Sequence, residues 1–174
     1  NKKEKSIFKA LTTGPGYIIL KNYYKKEIIT KANKVIEKIV EKDKKIKLNA
    51  KVFERNKKLN QKWVRSLLNL NPIFQHLILP KIVDKVFSRL LGEDYICGSY
   101  SVNCLLPGAR GQNSHVDYPY WKFVAPGKIF PYKNLKNFNL NLQVATPLTE
   151  FTKNNGSTAI VENSHKMLKY PDYN

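Results

Sequence analysis

The stretch Ser114-His115-Val116-Asp117-Tyr118-Pro119-Tyr120-Trp121 contains the pattern His-x-Asp. Residues i and i+2 of a β-strand point to the same face, so a strand here would aim an imidazole nitrogen and a carboxylate oxygen at one point. These are two of the three ligands of a 2-His-1-carboxylate facial triad, which holds non-haem Fe(II) and leaves positions open for other ligands. The alternative for so short a pattern is a hydrogen bond between two surface side chains.

Segments on both sides of this pattern favour the metal interpretation. Upstream is Leu105-Leu106-Pro107-Gly108-Ala109-Arg110-Gly111-Gln112, and downstream are Asn154-Asn155-Gly156 and Asn163-Ser164-His165-Lys166. With the opening Gly16-Tyr17-Ile18-Ile19-Leu20-Lys21-Asn22-Tyr23, their order and spacing resemble the phytanoyl-CoA dioxygenase family of Fe(II)- and 2-oxoglutarate-dependent oxygenases. The resemblance runs from about Gly14 to Lys166. The family's last motif is Gly-Ser-His-Lys, and Asn163 replaces its glycine here.

The order of the elements predicts an α+β protein, because helical patterns come first and short strand patterns follow. The resemblance implies a double-stranded β-helix, a cupin-like jelly roll, with N-terminal helices packed on one side. We expect residues 1–174 to be a single domain and a fragment, because the chain starts with Asn and ends without a closing element. Residues 1–92 would be mainly helical with one short strand. Residues 93–174 would be the first part of the jelly-roll core, with its C-terminal strands missing.

Hydrophobic periodicity predicts the elements of the first half. Residues 1–13 would be frayed or a short lead-in helix, and Tyr17 to Leu20 a short strand. Apolar residues recur at helical spacing from about Lys25 to Lys45, with charges on the other face. A second helix would start near Trp63 and stop before Pro72, and a third would run from Pro80 to a C-cap at Gly92.

The second half alternates with period two, which is typical of strands. Residues 95–162 are therefore predicted to be mainly antiparallel β. From Phe138 to Thr146, Asn139, Asn141 and Gln143 alternate with apolar residues. Their polar face would point either into a pocket or to water. Asn154-Asn155-Gly156 is a hairpin-turn signal, with Ser157 to Glu162 as the return strand.

By the family resemblance, His115 and Asp117 would be metal ligands for Fe(II), with 2-oxoglutarate as cosubstrate and ascorbate as a reductant in vitro. The third ligand would be a histidine beyond residue 174, because His165 lies in a motif that does not ligate iron in the family. No Arg follows Arg110 to pair with the 2-oxoglutarate carboxylate. The implied reaction hydroxylates a small organic substrate and converts 2-oxoglutarate to succinate.

Five other residues are softer candidates on the same resemblance. Ser101 and Asn103 lie on the strand that helps to hold 2-oxoglutarate in the family, and Trp121 lies where some relatives place an aromatic ring beside the site. Asn141 and Gln143 would contact the substrate if their polar face points inward. The alternative for each is a packed or hydrogen-bonded structural residue.

The formal net charge of +18 is concentrated in residues 1–62, which hold 19 Lys and Arg against 6 Asp and Glu. A basic half can indicate nucleic-acid binding. Base-reading surfaces favour Arg, however, and the chain has four, at Arg55, Arg65, Arg89 and Arg110. Lysines spread over solvated helix faces indicate a compositional bias, so no specific nucleic-acid partner is predicted.

The expected partners are a small-molecule substrate and dioxygen. No apolar run is long enough to span a bilayer, and no leader pattern is present. Cys97 and Cys104 would point to opposite faces of one strand, and two unpaired thiols indicate a cytoplasmic location. Two rival functions stay open: a non-catalytic jelly-roll binding domain and a basic nucleic-acid-binding protein.

Overall fold

The computed structural model describes residues 1–46, 53–56, 60–117, 139–167 and 169–171, without the side chains of 44–46 and 53–56. The described chain is α+β. Four α-helices are present there, together with three strands in one antiparallel sheet of order β1-β2-β3. The helices are α1 (Lys2–Thr12), α2 (Lys26–Ile46), α3 (Leu67–Leu70) and α4 (Lys81–Leu91), and the strands are β1 (Phe53–Asn56), β2 (Gln61–Val64) and β3 (Val102–Leu105).

Helix α1 is docked on the rest of the protein rather than frayed. The Asn1 side chain accepts a hydrogen bond from the Lys3 amide at 3.0 Å, which caps the first turn. Ile7 is 1% exposed, and the helix packs against α4. Arg89 of α4 adds a contact with Glu4 at 3.4 Å and stacks over the Phe8 ring. These contacts explain why a strongly charged N-terminal segment is held in place.

Helix α2 confirms the amphipathic pattern and supplies one side of the core. Ala32 and Ile36 are buried against Val64 of β2 and Leu67 of α3. Phe74 completes this cluster from a 3₁₀ turn at Pro72–His76. Fully burying a Val, Leu, Ile or Phe side chain contributes about 1.5–3 kcal/mol, so this cluster is a large source of packing stability.

The hairpin of β1 and β2 was not predicted from the sequence. Its register pairs Phe53 with Val64 and Asn56 with Gln61. The two strands read Phe-Glu-Arg-Asn and Gln-Lys-Trp-Val, so charged and amide residues hide the period-two signal. The prediction of a helix starting at Trp63 is wrong for the same reason, because Trp63 and Val64 end β2 and the helix begins at Leu67.

The predicted strand from Tyr17 to Leu20 is also wrong. Those residues are extended but have no ladder partner among the described residues, and Ile19 is 71% exposed. The third predicted helix is confirmed as α4. Pro80 is its N-cap, and Gly92 ends it with a φ of 96°, which a residue with a Cβ rarely adopts.

The later half is extended but sparsely paired. Of residues 95–117 and 139–162, only β3 belongs to the sheet, so the prediction of mainly antiparallel β is not met in the described part. Strand β3 pairs with β2 and places Val102 and Cys104 against the core. The turn at residues 153–156 forms as predicted, but its flanking segments lack ladder partners among the described residues. An extended segment becomes a strand only when a neighbour satisfies its backbone groups.

Candidate metal centre

The loop that precedes His-x-Asp is anchored to the start of β2. The Asn60 side chain donates to the Pro107 carbonyl at 2.8 Å, and the Leu106 amide donates to the Asn60 carbonyl at 3.2 Å. Gln61, only 4% exposed, donates to the Arg110 carbonyl at 3.3 Å. The Pro-Gly turn is thus fixed at the start of the central strand by two amide side chains that no motif in the sequence points to.

His115 is held through one ring nitrogen only. Its Nδ1 lies 2.7 Å from the Asn113 carbonyl oxygen. A carbonyl can only accept, so Nδ1 carries the proton in the neutral ring and Nε2 keeps its lone pair. Histidine ligands of metals are commonly fixed by this kind of bond from the second nitrogen. Nε2 is therefore the ring atom that is available to bind a metal.

Asp117 completes a pair of candidate ligands. Its Oδ1 lies 3.2 Å from His115 Nε2, and its Oδ2 accepts a hydrogen bond from Gln143 Nε2 at 2.7 Å. Two cis ligands of an octahedral ion at bonds near 2.1 Å are separated by about 3.0 Å, close to this spacing. His115 and Asp117 are 44% and 49% exposed, which leaves the point between them open to a ligand.

The prediction that the two residues share a strand is wrong, because residues 115–117 have no ladder partner in the described chain. The two side chains nevertheless approach each other, with His115 Nε2 lying 3.2 Å from Asp117 Oδ1. A local bend at Ser114 and the Asn113 carbonyl produce the same convergence that strand geometry would give. The described residues hold no group of three or more His, Cys, Asp or Glu that could bind a metal.

His165 takes part in a different structure. Its Nε2 lies 3.1 Å from the Thr12 carbonyl, so that nitrogen donates its proton to the end of α1. A Cβ on Gly16 would collide with the His165 ring, and Gly16 has a φ of 94°. The ring is therefore packed tightly against a glycine that no other residue replaces without strain.

Lys166 caps the same helix end. Its ammonium donates to the carbonyls of Thr13 and Gly14 at 2.6 and 2.8 Å, and to Asn163 Oδ1 at 2.9 Å. A cation at this position satisfies free carbonyls and the negative end of the helix dipole. The Asn-Ser-His-Lys motif thus binds α1, a structural role that the sequence analysis missed.

The softer candidates are dispersed. Asn103 lies opposite Trp63 on the sheet and donates to Gln61 Oε1 at 3.3 Å, and Ser101 directly precedes β3. No hydrogen bond or ion pair joins either of them to His115 or Asp117 within the described chain. Asn141 is exposed. Trp121 lies outside the described residues. Gln143 is the candidate that the structure brings to the pair.

A separate open groove lies between α2 and the 3₁₀ turn. It has a volume of roughly 400 Å³, and its lining includes Val35, Pro72 and Ile73. Three lysines at helical spacing and His76 line it: Lys31, Lys34 and Lys38. These three lysines therefore share one face of α2, while the prediction that the lysines as a whole scatter over the helix faces stays a prediction.

Both cysteines are free thiols. Cys104 faces the core, and burial raises the pKa of its thiol to about 11, although nearby Lys62 opposes that shift. Cys97 is exposed. None of the described helices is both long enough and apolar enough to cross a bilayer.

The described chain is α+β and holds an imidazole nitrogen 3.2 Å from a carboxylate oxygen. This pair of atoms is typical of proteins that bind a divalent metal through a His-x-Asp pattern. The chain matches the model of the family described as Phytanoyl-CoA dioxygenase (PhyH) over residues 13–174. It belongs to that family, as the sequence resemblance indicated.

A curated relative agrees with this membership. The chain is 28% identical over 153 residues to "Dioxygenase trt7" of Aspergillus terreus (strain NIH 2624 / FGSC A1156). The match covers 86% of this chain and 51% of that protein, so the chain spans about half the length of this relative. No solved structure matches the chain significantly.

Proposed function

We propose that this chain is part of an Fe(II)- and 2-oxoglutarate-dependent dioxygenase that hydroxylates a small organic substrate. Its family and its dioxygenase relative support an oxidoreductase. The observation that carries the metal assignment is the separation of 3.2 Å between His115 Nε2 and Asp117 Oδ1, with Nδ1 already bonded to the Asn113 carbonyl. A simple surface contact does not require the second nitrogen to be fixed.

His115 and Asp117 fit Fe(II) in donor type, because a neutral imidazole and an ionised carboxylate suit this ion. When bound, Fe(II) and 2-oxoglutarate supply the oxidation, in which dioxygen hydroxylates the substrate while 2-oxoglutarate loses carbon dioxide to give succinate. The protein's part is to fix the two ligands and orient the reactants. Of the other two histidines, His76 lines the lysine groove and His165 is bonded to the Thr12 carbonyl. A second histidine ligand would therefore lie outside these 174 residues.

The remaining assignments follow the family. We propose that Ser101, Asn103 and Trp121 contact 2-oxoglutarate, and that Asn141 and Gln143 contact the substrate. Ser101 and Asn103 flank Val102 on the sheet face away from the core, which is consistent with a shared ligand. For Gln143, the bond to Asp117 uses the amide nitrogen, so its Oε1 would be the atom that meets the substrate.

We further propose that the chain is one domain whose residues 93–174 begin a double-stranded β-helix, with residues 1–92 as the helical part packed on one side. Exposed apolar side chains in the sparsely paired half support this, because further strands would cover them. They include Leu140, Val144, Phe151, Ile160 and Val161. The two free thiols support a cytoplasmic location. Dioxygen and a small organic molecule are the proposed partners, with no membrane and no specific nucleic acid.

The test is succinate formation by the full-length protein with Fe(II), ascorbate, 2-oxoglutarate and candidate substrates. His115→Ala and Asp117→Ala should each lower coupled succinate formation by more than the 10- to 100-fold that is typical of losing a ligand's hydrogen-bond partner. His76→Ala is the matched control, because His76 lies in the lysine groove. Unchanged turnover in Asp117→Ala would remove the facial-triad assignment.

Two other functions remain as rivals. A non-catalytic jelly-roll binding domain would keep the His-x-Asp pair without turnover, and an intact metal site with no succinate formation from any substrate would favour it. The lysine groove is the observation that favours a nucleic-acid-binding protein. The residues that line the groove include no Arg, Phe, Tyr or Trp, which weighs against base reading and base stacking.

A further inference from the structure

We propose that Gln143 is a positioning residue for the metal site, which fixes the carboxylate of Asp117 so that one defined oxygen faces His115. This inference rests on the proposed function, because it assumes that Asp117 is a ligand. It goes beyond the substrate contact assigned above, because it gives the Gln143 side-chain nitrogen a role in the geometry of the metal ligands.

A carboxylate on a half-exposed side chain can present either oxygen, or both at once. In the structure, Asp117 Oδ2 accepts the hydrogen bond from Gln143 Nε2 at 2.7 Å, while Oδ1 lies 3.2 Å from His115 Nε2. A length of 2.7 Å is at the short end for an N–H donor on an ionised acceptor. The two oxygens therefore differ: Oδ2 accepts the hydrogen bond from Gln143, and Oδ1 faces His115 Nε2, where a metal would lie between the two atoms.

His115 and Asp117 are held in the same way. Asn113 holds His115 through Nδ1, the ring atom that is turned away from Asp117, at 2.7 Å. Gln143 holds Asp117 through the oxygen that is turned away from His115. Each candidate ligand is thus fixed at its far atom and open at its near atom. Such outer contacts set the orientation of metal ligands in proteins.

Glutamine fixes the Asp117 carboxylate better than chemically similar side chains would. Leucine has similar bulk but no donor, and glutamate would place a second negative charge beside Asp117. Asparagine keeps the amide but is one methylene shorter. Gln143 also lies 26 residues after Asp117, so this bond joins the extended segment around residues 139–147 to the ligand loop.

The experiment measures the affinity of the full-length protein for Co(II), and the visible spectrum of the bound ion. Gln143→Leu should weaken Co(II) binding by about 10- to 100-fold and change the spectrum, because an unrestrained carboxylate alters the coordination geometry. Gln143→Asn should give an intermediate affinity. Gln75→Leu is the matched control, because Gln75 is an exposed residue of the 3₁₀ turn. A circular-dichroism melt of each variant checks that folding is retained.

The outcomes separate the two proposals. If wild-type protein binds no Co(II) in a manner that depends on His115 and Asp117, the proposed metal site fails and this inference fails with it. If wild type and Gln75→Leu bind Co(II), His115→Ala does not, and Gln143→Leu matches wild type in affinity and spectrum, the metal site stands and the role of Gln143 is overturned. A loss in Gln143→Leu with partial recovery in Gln143→Asn supports the inference.

Discussion

The ammonium nitrogen of Lys166 lies 2.6 Å from the carbonyl oxygen of Thr13, although 153 positions separate the two residues along the chain. The contact ties the Asn-Ser-His-Lys motif to the end of α1. Together with the bond from the Asn163 amide to the Pro15 carbonyl at 2.8 Å, it fixes the turn that follows the helix. The family motif therefore stabilises the fold of this protein through contacts that do not depend on metal binding.

Replacing Lys166 tests that role. Lys166→Met should lower the free energy of unfolding by about 1 kcal/mol, because a helix C-terminus loses its cation and its carbonyls lose a donor. Urea denaturation of both proteins measures this change. Lys153→Met is a suitable control, since Lys153 is exposed in the turn of residues 153–156. Equal losses in the two variants would contradict a specific cap.

The number of ligands predicts how activity depends on chain length. On the proposed function, the 174-residue chain supplies two ligands, His115 and Asp117, to a facial triad that needs a third protein ligand. We therefore expect this chain alone to bind Fe(II) weakly and to form little succinate, whereas the full-length protein does both. Parallel assays on the two lengths, with Fe(II) and ascorbate, measure the difference. Rapid turnover by the short chain would mean that the third ligand lies within it, and His165→Ala would be the first variant to examine.

The two thiols should differ in reactivity with pH. Burial raises the pKa of Cys104 from 9.0 to about 11, so its thiolate fraction at pH 8 is on the order of 100-fold below that of an unshifted thiol. Iodoacetamide should label exposed Cys97 first and Cys104 slowly, and the slow phase should accelerate as the pH rises toward 11. Mass spectrometry of the labelled peptides follows both sites. In Cys97→Ser only the slow phase should remain. Two equally fast phases in the wild-type protein would mean that Cys104 is accessible and that its pKa is not raised.

The lysine groove allows a direct test of the nucleic-acid rival. If the basic charge is a compositional feature, duplex DNA should bind weakly, with an affinity that falls steeply with salt. Replacing Lys31, Lys34 and Lys38 by Gln should then weaken binding no more than the same change at three exposed lysines elsewhere, Lys21, Lys81 and Lys85. Fluorescence anisotropy over a salt series measures this. A much larger loss for the groove variant, at physiological salt, would favour the rival.

Long amphipathic helices were predictable because their signal repeats over several turns. The pattern from Lys25 to Lys45 matches α2, and Pro80 and Gly92 mark the ends of α4. The hairpin of β1 and β2 was not predictable, because its strands have four residues each and are rich in charged and amide side chains. Such strands are defined by their partners rather than by their own composition.

The candidate site was predictable in composition and less so in geometry. His-x-Asp indicated two ligands, and the structure brings them to 3.2 Å, but from a bend rather than a strand. The contacts of Asn113 with His115 and of Gln143 with Asp117 could not be predicted from the sequence. A backbone carbonyl leaves no trace in a sequence, and a contact across 26 residues depends on how the chain folds.

The three-stranded sheet has a consequence for the kinetics of folding. Strands β1 and β2 adjoin in the chain, whereas β3 reaches β2 only after residues 65–101 have been looped out. The entropy of closing the longer loop exceeds that of the hairpin by about 2 kcal/mol. We therefore expect the hairpin to form early and β3 to dock late, once α3 and α4 have shortened the span between them. The ligand loop, which is anchored to β2 and follows β3, would acquire its native shape only in that last step.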